Sequence, residues 1–504
     1  MATNSSLPKL EHIVVLMLEN RSFDHLLGAF PNVDGASNSN YNSVRDLSGQ
    51  LIKYPQYPTS VYDPPNLDPS FDPDHSFEAM MIQMFGPDAT GFWQGKVQPT
   101  TTKPFPGANP TWQSGYLTDY YRHTGSLESA QEAMSYFGSP STDLPVFYEL
   151  AKNFVVCDKW FCDVPAFTYP NRLFMHSATS EGSLAVGFSP PLLQAKTIYQ
   201  QIDEYSPLSH DDKWGVYYWP NDENDANYFS YTFPETFSGR ASYTVAGDFI
   251  SQAANGTLPF YSFLMPVLNT SYAPKCNSMH PPADVRYGEN YIANVYNALR
   301  NSRLWENTLL IITYDENGAI YDHNQPPTTV SPGPNSDSTS PLFDFTTLGV
   351  RIPALLISPW LQAGCVDSTQ YQNTSILRFV QDLLSSVMPI EPPPELNLTQ
   401  RDLNANSIAS AFDQFGLDTP RTDCPESIAI IPGFPWTTQN NRAEDQSPPS
   451  AAQIEHAKSY VARLPGHPDS GKPITREFPT YSDMYSYREE RRQAAFAYLG
   501  LTPT

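Results

Sequence analysis

The clearest pattern along this chain is a set of short, solid apolar runs. Residues 13–18 (IVVLML) form one and stop abruptly at Glu19-Asn20. The run is aliphatic, partly β-branched and does not alternate with polar residues. That suits a strand buried on both faces of a parallel sheet better than a surface helix. Residues 309–313 (LLIIT) repeat the pattern, and Asp315-Glu316 follow almost at once. The segments 154–157, 259–265 and 351–358 read as further buried strands. A helical period appears between them. One helix starts at Asp74 or Ser76 and buries Phe77, Met80, Met81 and Met84. Others are expected over 144–152, over 171–178 behind Pro170, over 284–299 with Tyr291, Val295 and Leu299 on one face, and over 374–384.

Elsewhere the pattern is weak. Residues 32–110 are dominated by Asn, Ser, Pro, Tyr and Asp and read as loop. Ser183 to Thr257 reads as an inserted region near the cleft that shapes substrate choice. Pro326 to Pro341 is a Pro/Ser-rich loop. The stiff stretch Pro389 to Glu395 (PIEPPPE) is the expected boundary. It separates a catalytic domain, 1–388, from a C-terminal Pro-rich and helical region, 389–504. Two amphipathic helices are expected in that region. One carries Ile454, Ala457, Val461 and Leu464 on one face, and the other runs from Met484 to Leu499.

Charge narrows the partners. The 504 residues carry a formal net charge of −24, from 53 acidic and 29 basic side chains. Such a chain is a poor nucleic-acid binder, and a poor electrostatic binder of anionic lipid. An anionic substrate would need a local positive centre, which a metal ion supplies. No apolar run approaches the roughly 20 residues of a membrane span. The N-terminus lacks the basic start and small-residue cleavage site of a signal peptide. These features predict a cytoplasmic protein or one peripheral to a membrane, with any secretion by another route. Five cysteines form no CxxC and no zinc spacing, so no disulfide framework is expected.

The candidate chemistry sits where strands end, which is where open α/β sheets gather ligands. If residues 13–18 and 309–313 are strands of one parallel sheet, Glu19, Asn20, Asp315 and Glu316 meet at one rim. Three carboxylates there repel one another unless a cation sits between them. Oxygen ligands imply a hard or borderline divalent ion. Thr168, before Tyr169-Pro170, is a hydroxyl at a helix N-terminus, where unpaired N–H groups receive phosphate oxygens. His75 stands at another helix start, where the dipole lowers its pKa. His280 lies in a loop before a Pro pair. The plain alternatives are that each acidic pair caps a helix, that Thr168 is an N-cap and that His75 is a loop residue.

Six blocks, ENRSFDHLLG (19–28), DPDHSF (72–77), TYPNRLFMHSATSEG (168–182), MHPPAD (279–284), TYDENGAIYDH (313–323) and LGVRIPALLISPW (348–360), together resemble the phosphoesterase family of bacterial phospholipase C, plant non-specific phospholipase C and related acid phosphatases. The resemblance spans most of the chain before Pro389 and leaves the C-terminal region uncovered. It implies an alkaline-phosphatase-like α/β fold, a three-layer sandwich with a mostly parallel central sheet. It implies one divalent metal ion held by Glu19, Asn20, Asp315 and Glu316, with Thr168 as nucleophile. His75 and His280 match histidines at the phosphate site. His323 and Asn171 are expected to bind substrate.

The chemistry that follows is attack of Thr168 on phosphorus, a phosphothreonine, protonation of the leaving oxygen by His280, and hydrolysis. Phospholipid is the expected substrate, cleaved to diacylglycerol and a phosphorylated head group. The alternative is an acid phosphatase of small phosphomonoesters. A non-catalytic binder of phospho-ligands is disfavoured by the intact set of nucleophile and ligands. Three positions depart from the family pattern: Asn317 and Asn373 stand where relatives carry His, and Ala319 where they carry Gly.

Overall fold

The structure is a computed structural model. It describes residues 7–45, 50–61, 72–86, 113–124, 126–184, 194–219, 243–268, 275–333, 343–387 and 396–436, with isolated positions 236, 479 and 483. The two helices expected in the C-terminal region and the stretch 389–395 lie outside the described residues.

The solid apolar runs do become strands of one sheet. It is built from β1 (His12–Leu18), β2 (Val155–Cys157), β3 (Trp214–Tyr218), β4 (Tyr243–Thr244), β5 (Tyr261–Leu264), β6 (Thr308–Tyr314), β7 (Ala354–Ile357) and β8 (Cys365–Asp367). Their order across the sheet is β8-β2-β7-β6-β1-β5-β3-β4. Strand β7 runs antiparallel to both neighbours, and the remaining pairs are parallel. Ile13 to Leu18 and Leu309 to Ile312 have no exposed surface, as expected of strands covered on both faces. Each such Ile, Leu or Val contributes roughly 1.5–3 kcal/mol by leaving water.

Helices cover the sheet and complete a three-layer α/β sandwich. Those that matter here are α1 (Phe23–Leu27), α2 (Phe77–Phe85), α3 (Pro145–Asn153), α4 (Thr168–Ser177), α5 (Val285–Arg300), α6 (Thr374–Val387) and α7 (Gln400–Leu403). Helix α5 packs on α3, and α4 packs on α6. Asp284 caps α5 by accepting the Arg286 N–H, and Tyr291, Val295 and Leu299 lie buried on one face. No helix among the described residues is long and apolar enough to cross a membrane.

The region 183–257 carries regular elements of its own. Its described part supplies β3 and β4, which extend the sheet beyond β5, and a helix over Ile198–Tyr205 with a Thr197/Gln200 capping box. The aromatic residues of WGVYY hid this strand, because a run so short carries no readable period. Residues beyond Pro389 also reach the core. Leu396, Ile408, Phe412 and Ile428 belong to the same buried cluster as β1 and β6. Arg401, on α7, is fully buried and donates to the Asp163, Val330 and Phe345 carbonyls.

Candidate active site

Sheet register sets the first half of the site. With Leu18 opposite Tyr314, the ends of β1 and β6 leave the sheet side by side. The Asp315 N–H donates to the Leu18 carbonyl at 3.2 Å. The Asn20 N–H donates to Asp315 Oδ1 at 3.2 Å, and the Arg21 N–H to the Glu316 carbonyl at 3.2 Å. Asn20 holds a left-handed φ of 58°, a strained choice of the kind that gathers at functional sites. Gly318, at φ +62°, comes so close that a Cβ there would sit 2.3 Å from the Asn20 carbonyl oxygen. Asn20, Asp315 and Glu316 are thereby brought together, with Glu19 next along the chain, and all four are buried.

The electrostatics differ from three bare carboxylates facing one another. Arg172, fully buried on α4, donates from Nε to Asp315 Oδ2 at 3.1 Å. It also donates to the carbonyls of Met17 and Leu18, each at 3.3 Å. One of the three charges is thus matched by a side chain not foreseen from sequence. The signal available was the Arg four residues after Thr168, which puts it one helical turn along. Glu316 is the group left over. Its Oε2 accepts the Gly318 N–H at 2.6 Å, whereas its buried Oε1 has no hydrogen-bond partner among the described residues. Burial pushes its pKa up to about 8; His75 opposes that shift and Asp315 adds to it.

An orphaned carboxylate oxygen, a side-chain amide, a hydroxyl and further carboxylates make a donor set that suits a hard divalent ion. Glu316 Oε1, buried and unpartnered among the described residues, and Asn20 Oδ1 are oxygens of the kind such an ion takes. Asp315 is the most committed of the four: its Oδ1 accepts two backbone N–H groups, and Arg172 takes one lone pair of Oδ2. Among the described residues, the groups of three His, Cys, Asp or Glu compact enough to share one ion are Asp72, His75 and His280, and Asp24, Asp322 and His323.

Helix α4 supplies the second half. It begins at Thr168 itself, and the preceding Phe167 offers no side-chain cap. Thr168 therefore does not act as an N-cap. Its hydroxyl donates to Asn20 Oδ1 at 3.4 Å and is half-buried. Asn171 turns its side chain to the backbone. Its Oδ1 accepts the Val164 N–H at 3.0 Å, and its Nδ2 donates to the Val164 and Ala166 carbonyls at 3.0 and 2.9 Å. An amide so committed braces the loop in front of Thr168.

The histidines come from loops. His75 Nε2 lies 3.3 Å from Asn20 Nδ2, and the His75 and His280 rings meet edge to face at 5.4 Å. Each ring has its Nδ1 against a backbone carbonyl, Pro73 at 2.7 Å and Pro281 at 2.6 Å. Asp72, which opens the DPDHSF block and carries no expectation from the sequence, stands 3.8 Å from His75 and 3.9 Å from His280. The pKa expectation for His75 reverses. Burial lowers it, but Glu316 and Asp72 more than offset that, and the net shift is upward. A helix dipole is a weak partner beside two carboxylates. Burial lowers His280, partly against the pull of Asp72.

His323 is drawn elsewhere. Its Nδ1 meets Asp24 Oδ2 and its Nε2 meets Asp34 Oδ1, both at 2.9 Å. Asn373 lies behind the acidic tip, donating to the Tyr314 carbonyl at 3.2 Å and accepting from Trp160 Nε1 at 2.9 Å. Asn317 donates to the Ile320 carbonyl at 3.0 Å. Ala319 holds φ 58°, a left-handed backbone that glycine adopts without strain.

The family model that matches this chain is the Phosphoesterase family, over residues 10–385. The chain belongs to that family and is a phosphoric ester hydrolase. Among curated relatives, Non-specific phospholipase C6 of Arabidopsis thaliana is 33% identical over 84% of this chain and 75% of its own. Non-specific phospholipase C3 of the same plant is 31% identical over 85% and 77%. The non-hemolytic phospholipase C of Burkholderia pseudomallei is 28% identical over 84% and 62%. A solved protein of the alkaline phosphatase superfamily from Vibrio parahaemolyticus overlaps with a TM-score of 0.32 at 14% identity, over 48% of this chain and 60% of its own.

Proposed function

We propose that this enzyme is a phospholipase C that uses Thr168 as nucleophile and one divalent ion at Glu19, Asn20, Asp315 and Glu316. The observation that carries the reading is the Thr168 hydroxyl: free of capping duty, at the start of α4, and bonded to Asn20, whose Nδ2 lies 3.3 Å from His75 Nε2. The curated relatives at about 30% identity bear phospholipase C names, which supports phospholipid as substrate.

When bound, the ion supplies positive charge for the phosphoryl oxygens and favours the ionised Thr168 hydroxyl. The chain's residues do the rest. Asn20 orients the hydroxyl, and the braced 164–167 loop holds the helix start so that its open N–H groups face the phosphoryl oxygens. The Thr168 Oγ–P bond forms as the bond from phosphorus to the diacylglycerol oxygen breaks, and that oxygen takes a proton. Thr168 is left carrying the phosphorylated head group as a phosphodiester; water then breaks the Thr168 Oγ–P bond, one of its protons returns to Oγ, and the phosphorylated head group leaves. The acid role falls to His280, as the resemblance implies, with His75 beside it and the two rings meeting at 5.4 Å. A phospholipid substrate lies in a bilayer, which supports work at the periphery of a membrane; a cytoplasmic and an exported enzyme would both meet it there.

The test offers the Mn²⁺-loaded chain phosphatidylcholine vesicles beside nitrophenyl phosphate. Diacylglycerol and phosphocholine from the vesicles support the reading. Phosphate release from nitrophenyl phosphate alone makes the enzyme a phosphatase, and inertness on both overturns the reading.

A further inference from the structure

Behind the acidic tips lies a second group of charges that the proposed chemistry does not use. Asp24 follows Asn20 on α1, and Asp322 and His323 follow Glu316 on the other tip. Arg351 stands just before β7. The side chains of Asp24, Asp322 and Arg351 have no exposed surface. Arg351 donates from Nη2 to Asp24 Oδ1 at 2.8 Å, and from Nε to both Asp322 oxygens at 3.1 Å. Its Nη1 reaches the carbonyls of Asp34 at 2.7 Å and Asp158 at 2.8 Å. Asp24 Oδ2 accepts the His323 N–H at 2.9 Å and Gln56 Nε2 at 2.9 Å. In return, Asp322 Oδ2 accepts the Asp24 N–H at 3.0 Å.

The geometry of this cluster is that of a clasp. Asp24, Asp322 and His323 are grouped closely enough to hold a cation, and the guanidinium of Arg351 lies among them as a cation supplied by the chain. Further bonds run between the same two segments. The Ser22 hydroxyl donates to the Tyr321 carbonyl at 2.8 Å, and the Phe23 N–H to the Arg351 carbonyl at 3.1 Å. Every bond from one tip's continuation to the other's fixes the spacing of the tips themselves. A divalent ion is sensitive to such spacing, because its oxygen ligands must stand at set distances from one centre.

We propose that Asp24 and Arg351 are positioning residues for the metal centre: they clasp the two acidic tips at the separation the ion requires and so set the chain's affinity for it. This rests on the proposed ion site. His323 belongs to the clasp and not to the substrate pocket.

The test is calorimetric titration of Mn²⁺ into the full-length chain, wild type and Asp24→Asn, with melting followed in parallel. Loss of a group bonded directly to a ligand typically costs 10–100-fold in affinity; Asp24 acts one step further out, through the backbone of the two tips, so Asp24→Asn is expected to bind Mn²⁺ more weakly by up to about tenfold. Its turnover should recover when Mn²⁺ is raised in proportion. Glu289→Gln is the control. That buried carboxylate braces the N-terminus of α3 through the Val146 and Phe147 N–H groups, and its loss should leave Mn²⁺ affinity unchanged. If Asp24→Asn lowers the melting temperature but binds Mn²⁺ as tightly as wild type, the clasp is structural only and the proposal is wrong. Should Asp24→Asn not fold, Arg351→Lys, which keeps the charge and loses the forked contact, carries the same two outcomes. A wild type that takes up no Mn²⁺ overturns the ion site itself, a result distinct from a wild type and variant that bind alike.

Discussion

At the scale of single residues, the site is a contest between burial and partnership. Asp315 has Arg172 and two backbone N–H groups, whereas Glu316 has one unmatched oxygen and a raised pKa. An ion that binds Glu316 must displace its proton. Mn²⁺ affinity should therefore rise with pH up to about 8 and then level off. Glu316→Gln should weaken binding and flatten that dependence, both readable by titration at several pH values. Asn171→Ala leaves the Val164 and Ala166 backbone groups unbraced. It should cost roughly 1–3 kcal/mol by melting and lower kcat more than it raises KM. The sequence showed which residues could be ligands, since acidic pairs after apolar runs are visible. It did not show that Asn171 would spend its amide on the backbone, because that depends on where the 164–167 loop turns.

Among the elements, the aliphatic strands were legible, whereas the aromatic strand β3 and the connections were not. β1 and β6 are buried on both faces, so composition alone marked them. The loop-like stretch 32–110 conceals an antiparallel ribbon, Tyr41–Arg45 with Leu51–Pro55, whose pattern is too polar and too short to declare itself. It also hid Asp72, which gains meaning only when folded against His75 and His280. Gly318 illustrates how a turn sets the site. Gly318→Ala combines a left-handed penalty of about 1–2 kcal/mol with a clash against Asn20. Lowered stability and a loss of activity larger than that destabilisation explains are expected from melting and turnover assays. The clasp has its own pH signature. Burial opposes protonation of His323, but Asp24 overcomes it and raises the pKa from 6.5 to about 9. A folded value above the unfolded one means that the stabilisation is complete below pH 6.5 and lost as pH rises through about 9. His323→Gln should remove that loss from melting curves taken across the same window.

For the whole molecule, the C-terminal stretch matters more than its composition suggests. Residues 396–436 contribute Leu396, Ile408, Phe412 and Ile428 to the main core, and Asn290 and Asn297 of α5 bind its backbone at Ile431 and Ile428. A chain ending at residue 388 would expose those core faces, each worth roughly 1.5–3 kcal/mol. It should melt without a cooperative transition by circular dichroism. Proline-rich linkers usually separate domains, which is why PIEPPPE looked like a boundary; here the chain after it returns to the same core.

The central claim is that Thr168 takes the phosphoryl group. The most direct measurement is mass spectrometry of enzyme quenched with acid during turnover of phosphatidylcholine, followed by peptide mapping. A phosphorylated head group on the peptide containing Thr168, absent from Thr168→Ala, is the predicted result. An adduct on another residue, or a Thr168→Ala enzyme that turns over as fast as wild type, contradicts it.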